Sequence, residues 1–146
     1  MKKRQRRELR DSLRYLRRNL PFSDQQSASN AVYDFIIRQD FFLSATHLAF
    51  YISFDGELNP KKILQEAITQ RKSCYLPMTS NSGADRLNFG LYDQETTLKE
   101  NKWGIEEPLP QGSLISPLKL EVVFVPLVGF DDKCSRLGMG KGLYDK

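Results

Sequence analysis

Residues Val122 to Asp145 read VVFVPLVGFDDKCSRLGMGKGLYD. Val122 to Val125 is an apolar run with the composition of a buried strand. Beyond Pro126, glycines at 138, 140 and 142 alternate with other residues, flanked by Arg136, Lys141 and Asp145. Glycine admits backbone turns closed to other residues and lets N–H groups approach an anion. The two cations suit phosphate, and the carboxylate suits a divalent metal beside it. The expectation is a phosphate-binding loop after a buried strand. It is not a Walker A loop, because Lys141 is followed by Gly142 rather than a hydroxyl, and the glycine spacing is not Gly-x-Gly-x-x-Gly. On spacing alone, a plain structural turn is an equal alternative.

Upstream, Leu48 to Ile52 is a second short apolar run suited to a buried strand. Ser53 to Gly56 then turns the chain, with Glu57 just beyond. Asn59 and Pro60 open a helix whose core face is Ile63, Leu64, Ala67 and Ile68. Ser73 to Leu76 reads as the next strand, stopped by Pro77. Leu87, Phe89 and Leu91 alternate as in a half-exposed strand. Residues 93–120 are polar and proline-punctuated, a loop with short elements. Near the N-terminus, Leu9, Leu13, Leu16 and Leu20 form one helical stripe and Arg6, Arg10, Arg14 and Arg17 a neighbouring row; Pro21 ends this helix. Ser23 with Gln26 predicts a capping box for a second helix, buried through Ala28, Val32, Phe35 and Ile36.

Alternating strands and helices predict one α/β domain over residues 1–146 with a largely parallel sheet, Val122 to Val125 at its centre. Ligands in such sheets gather beyond the carboxyl ends of strands, which puts Glu57 and the glycine loop on one rim. Residues 1–18 hold nine Lys/Arg against Glu8 and Asp11, so the net charge of +4 is +7 there and −3 elsewhere. A nucleic-acid face, a helix meeting a triphosphate and a solvated face all account for that charge. Cys74 and Cys134 lie far apart and form no metal or redox pair. Free thiols, no bilayer-length apolar run and no secretory segment point to a cytoplasmic protein without a membrane partner. His47, the sole histidine, has no catalytic partner in a recognisable motif.

The longer string Pro126-x-x-x-Phe130-Asp131, then Arg136-Leu-Gly-x-Gly-x-Gly-x-Tyr-Asp145, resembles the signature of the 5-formyltetrahydrofolate cyclo-ligase (methenyltetrahydrofolate synthetase) family. Three more segments agree in order: Arg6 and Arg10 in the basic helix, Phe50 to Glu57, and Trp103-Gly-Ile-x-Glu-Pro108. The resemblance implies a three-layer α/β/α fold related to ribose-phosphate isomerases and CoA-transferases. It also implies cyclisation of 5-formyltetrahydrofolate to 5,10-methenyltetrahydrofolate at the expense of ATP with Mg²⁺. On it, Arg6, Arg7, Arg10, Arg136, Leu137, Gly138, Met139, Gly140, Lys141, Gly142 and Tyr144 hold ATP. Lys141 and Arg136 stabilise the transferring phosphoryl group, and Asp145 takes the metal. Ile52, Glu57, Trp103 and the loop from Gly138 to Gly142 face the folate. The family pattern continues beyond the last residue, so the resemblance implies a missing C-terminal part. That keeps two other readings open: an inactive folate- or nucleotide-binding remnant, and a basic-helix module for nucleic acid. Oligomeric state is left open.

Overall fold

The computed structural model describes residues 3–79, 87–109 and 113–145. Four α-helices lie among them: α1 (Lys3–Arg18), α2 (Phe22–Ile36), α3 (Asp40–Ser44) and α4 (Lys61–Thr69). The strands are β1 (His47–Ala49), β2 (Ser73–Thr79), β3 (Leu87–Tyr92), β4 (Leu98–Glu100), β5 (Glu106–Pro108), β6 (Leu114–Ile115), β7 (Val122–Val123), β8 (Gly129–Phe130) and β9 (Arg136–Leu137). A five-stranded sheet runs β6-β3-β2-β1-β7, and β4-β5 and β8-β9 are separate two-stranded ribbons. No helix among the described residues is long and apolar enough to cross a membrane.

The sheet is mixed, not largely parallel. β1 pairs parallel with β2 and β7, whereas β3 pairs antiparallel with β2 and β6. Among the described residues, the run expected at the sheet centre stands at the edge: β7 pairs there with β1 alone, and Val123 is 40% exposed. An apolar run reports that its faces are covered, not how many strands flank it. Pro77 does not stop β2, which continues to Thr79 with Pro77 opposite Phe89. β1 reaches only as far as the Phe50 N–H to Tyr75 carbonyl bond. Two residues on, the nitrogen of Pro77 faces the open side beyond β1, where no ladder donor is needed. Residues 93–120 do hold short elements, though 110–112 lie outside the described residues.

Alternation along β1 and β2 divides the core between the two sheet faces. Leu48, Phe50, Cys74 and Leu76 pack with Phe42 of α3, Ile63, Leu64 and Ala67 of α4, and half-buried Val32, Tyr33 and Ile36 of α2. Phe50 and Phe124 stack with centroids 4.8 Å apart. Ala49, Tyr75 and Phe89 face the other way, against Ile115, Leu120 and Tyr144. The core face of α4 matches its periodicity, and the Asn59 side-chain oxygen accepts the Lys61 N–H at 2.9 Å. α2 departs from expectation. It starts at Phe22, the Pro21 carbonyl accepts its first N–H bonds, and Ser23 caps nothing. Ala28 and Phe35 are exposed, and Tyr33 takes the inward position.

α1 departs further. It buries no residue fully, and Leu9, Leu16 and Leu20 of the leucine stripe are exposed. Only Leu13 is half-buried, its Cδ1 close against Gly129. The arginine row faces the protein instead. Gly56 supports that approach: its φ is +75°, and a Cβ there would lie 3.3 Å from the Arg17 carbonyl oxygen. Gly56→Ala is therefore expected to cost about 1–2 kcal/mol, combining backbone strain with backbone crowding. Urea denaturation of the two proteins measures it, and an unchanged midpoint would refute the crowding.

Candidate active site

β1 and β7 run parallel side by side, so the chain leaves both at the same end of the sheet. After β1 it forms the loop from Ser53 to Asn59, and after β7 the segment from Phe124 to Asp145. The shared rim expected from sequence is therefore present. A cleft of about 670 Å³ opens there, lined by Arg6, Arg10, Arg136, Lys141, Tyr144, Asp145 and the backbone from Leu137 to Gly142.

The hairpin β8–β9 supports the glycine segment. The Asp131 carboxylate accepts the N–H groups of Lys133 and Ser135, closing the turn at Cys134, whose φ is +59°. These N–H bonds, led by that of Ser135, hold the Asp131 carboxyl below the usual carboxylate range. Past β9 the backbone leaves regular structure, with Gly140 at φ +97°. Among the described residues, no oxygen accepts an N–H from Gly138, Met139, Gly140, Lys141 or Gly142. Five consecutive donors with no acceptor among the described residues, beside four cations, make this a candidate anion cradle.

Arg10 braces this loop from α1: its Nε donates to the Gly138 carbonyl at 2.7 Å. A Cβ on Gly140 would lie 3.4 Å from its guanidinium carbon. Arg6 lines the same cleft, whereas Arg7 is exposed and outside it. Lys141 stands over the Trp103 ring with Nζ 3.9 Å from its centroid. Lys102 Nζ is 4.5 Å from the same ring, and Trp103 keeps 37% of its surface exposed. Arg136 pairs with Asp145 and reaches the Pro126 carbonyl. Tyr144 is tucked against the core, where burial first, then the Glu57 carboxylate, pushes its hydroxyl pKa up.

Glu57 has a nearly buried side chain, 9% exposed, and lines a second cavity of about 510 Å³ with Phe22, Phe54 and Asn59. It accepts the Phe54 N–H at 3.1 Å and lies 3.8 Å from Arg17. Burial raises its pKa against the pull of those two groups. Ile52 does not line either cavity; it packs on the core below.

Sequence reasoning missed Asp55. Its φ is +57° and its side chain is 5% exposed. Its carboxylate accepts hydrogen bonds from Arg14 at 2.8 Å, from Arg17 at 3.0 Å and from Arg18. Burial would raise its pKa, but the three guanidinium groups hold it at about 2. A depressed carboxylate stabilises the fold above its ordinary pKa, and this contribution is lost as pH falls toward about 2. The nucleic-acid reading of the basic helix loses its support here, because Arg10, Arg14, Arg17 and Arg18 are all engaged within the protein. An acidic residue before glycine, facing arginines at helical spacing, was the available signal.

The family model for 5-formyltetrahydrofolate cyclo-ligases matches residues 2–146. This chain belongs to the 5-formyltetrahydrofolate cyclo-ligase family. It is 36% identical over 147 aligned positions to the 5-formyltetrahydrofolate cyclo-ligase of Haemophilus influenzae, covering all of this chain and 79% of that protein. To the Escherichia coli K12 cyclo-ligase it is 37% identical over 100 residues, 68% of this chain and 55% of that one. In structure it resembles the 5,10-methenyltetrahydrofolate synthetase of Aquifex aeolicus, with a TM-score of 0.83 and 26% identity, covering 96% of this chain and 70% of that one.

Proposed function

We propose that this cyclo-ligase family member closes 5-formyltetrahydrofolate to 5,10-methenyltetrahydrofolate, with ATP converted to ADP and phosphate. The observation that carries the reading is the convergence of Arg6, Arg10, Arg136 and Lys141 on five backbone N–H groups that have no acceptor among the described residues, at one sheet rim. Glu57 lies on the loop that follows the neighbouring strand β1 and lines the second cavity.

The chemical obstacle is a poor leaving group, since a formyl oxygen does not depart as oxide. ATP supplies the phosphoryl group that makes that oxygen a leaving group. The protein's task is then to hold the two reactants in line and to stabilise charge. The hoop from Gly138 to Gly142 cradles the phosphates through its N–H groups, and Arg6 and Arg10 reach them from α1. Lys141 and Arg136 offset the negative charge that develops on the transferring group. Glu57 accepts from the amino and ring N–H groups of the pterin. Trp103 seats Lys141 and keeps ring surface free to stack on the folate.

The donor set fits Mg²⁺ in a limited sense. Among the described residues no three His, Cys, Asp or Glu side chains gather as a ready-made metal site. Magnesium bound with nucleotide needs only one or two protein carboxylates, because phosphates and water fill its other positions. Asp145 would be that carboxylate, contributing the oxygen not paired to Arg136. A cytoplasmic location accords with two unpaired thiols, Cys74 and Cys134.

Incubation with 5-formyltetrahydrofolate and Mg-ATP is expected to produce the absorbance of methenyltetrahydrofolate together with stoichiometric phosphate. Binding of both ligands without turnover would support the remnant reading instead. No heat on titration with Mg-ATP would remove the enzyme assignment altogether.

A further inference from the structure

α1 brings Arg6 and Arg10 to the cleft, yet it carries no fully buried side chain. What holds it is polar. Arg14, Arg17 and Arg18 lie within about one turn at the C-terminal end of the helix and converge on one carboxylate, that of Asp55. Arg17 adds bonds to the Asp55 carbonyl at 2.8 Å and to the Leu127 carbonyl at 3.0 Å. The N-terminal half of the helix then meets the loop through Arg10 and Gly138.

We propose that Asp55 is the positioning residue of the nucleotide site: it fixes the azimuth and height of α1, and thereby delivers Arg10 and Arg6 to the glycine loop. This rests on reading that cleft as the ATP site. The lever is short. From Arg14 to Arg10 is one helical turn, about 5–6 Å along the axis, so a helix pinned at Arg14 and Arg17 has its Arg10 pinned as well. Released from Asp55, α1 keeps Leu13, the Arg17 and Arg10 contacts to carbonyls, the Gln25 amide bond to the Arg17 carbonyl and the longer Arg17–Glu57 pair at 3.8 Å; the neutral acceptors bind guanidinium more weakly than a carboxylate at hydrogen-bond distance does.

Asp55→Asn is the clean test. Asparagine tolerates the left-handed backbone at this position and is nearly isosteric; it removes the charge and turns one of the two acceptor oxygens into a donor facing the guanidinium groups. In ligand-free protein, amide exchange in residues 10–18 is expected to speed up about tenfold or more, while exchange in the core strands stays unchanged. Mg-ATP affinity, measured by calorimetry, is expected to fall roughly tenfold, with kcat at saturating nucleotide within about twofold. In an Arg6→Ala, Arg10→Ala background the same substitution is expected to change ATP affinity less than twofold, because Asp55 acts through those two arginines. Equal losses in both backgrounds, or unchanged exchange in α1, overturn the proposal. Should Asp55→Asn fail to fold, the double substitution Arg14→Gln, Arg18→Gln cuts two of the three pairs from the helix side. It must then reproduce both the exchange and the affinity changes, and failure to do so is equally fatal. Wild-type protein that binds no Mg-ATP overturns the reading of the cleft. Wild-type binding matched by undiminished binding in Asp55→Asn overturns only the positioning role.

Discussion

Lys141→Ala is expected to lower kcat/KM for the cyclisation roughly 10³-fold while costing the fold about 1 kcal/mol or less. The two magnitudes come from different interactions. In the ligand-free protein Lys141 makes a cation–π contact with Trp103. Such a contact contributes about 0.5–1 kcal/mol where the ring is partly solvated. A preorganised group facing the charge that develops in a transition state contributes more, about 3–4 kcal/mol in comparable cases. Gly140 at φ +97° and Gly142 at φ +64° flank the lysine, so the backbone that carries it is set by residues without side chains. Truncating the lysine therefore disturbs little besides the charge. Lys141→Arg is expected to recover part of the activity, because the charge remains but the compact ammonium is lost. Steady-state kinetics and urea denaturation on the same preparations separate the two effects. The chain has one tryptophan, Trp103. Its emission is expected to shift in Lys141→Ala and to respond to Mg-ATP in the wild type. Full activity in Lys141→Ala would remove the phosphate-clamp role.

How much of this was legible in the chain depends on the range of the interaction. The glycine loop, the turn to Glu57 and the core face of α4 are local patterns, and the structure carries all three. The common rim also followed, because β1 and β7 are parallel neighbours. Contacts distant in sequence did not show. Lys141 meets Trp103, and Asp55 meets three arginines of α1, across separations that no periodicity encodes. The leucine stripe of α1 illustrates a second failure. A helical apolar face predicts burial only if burial is what holds the helix. Here Arg14 and Arg17 face inward and Leu16 is 62% exposed. The strand errors have one cause: Val122 to Val125 and Pro77 were judged by composition, whereas edge position depends on pairing partners.

Glu57→Gln is expected to raise KM for 5-formyltetrahydrofolate about 10²-fold or more, leaving the affinity for Mg-ATP within about twofold. A pterin edge that presents an amino group and a ring N–H offers two donors. A carboxylate accepts both, whereas the amide of glutamine turns one acceptor into a donor. A site left with mismatched buried polar groups discriminates strongly, by orders of magnitude. The protonation state supplies a second signature. Burial raises the Glu57 pKa, against the Phe54 N–H and Arg17, which lower it, with Asp55 adding to the rise. A raised carboxyl means that the folded, ligand-free protein holds the proton more tightly than the unfolded chain. Its contribution to stability is therefore present below the unfolded pKa and lost as pH rises through the folded one. Folate binding has the opposite sign, because the pterin donors require the ionised carboxylate. Affinity for 5-formyltetrahydrofolate is expected to climb as pH rises through the raised Glu57 pKa and then level off. In Glu57→Gln that limb of the profile should be flat. Folate titrations from acid to neutral pH distinguish the cases. A rising limb that persists in Glu57→Gln would assign it to another group and take Glu57 off the pterin.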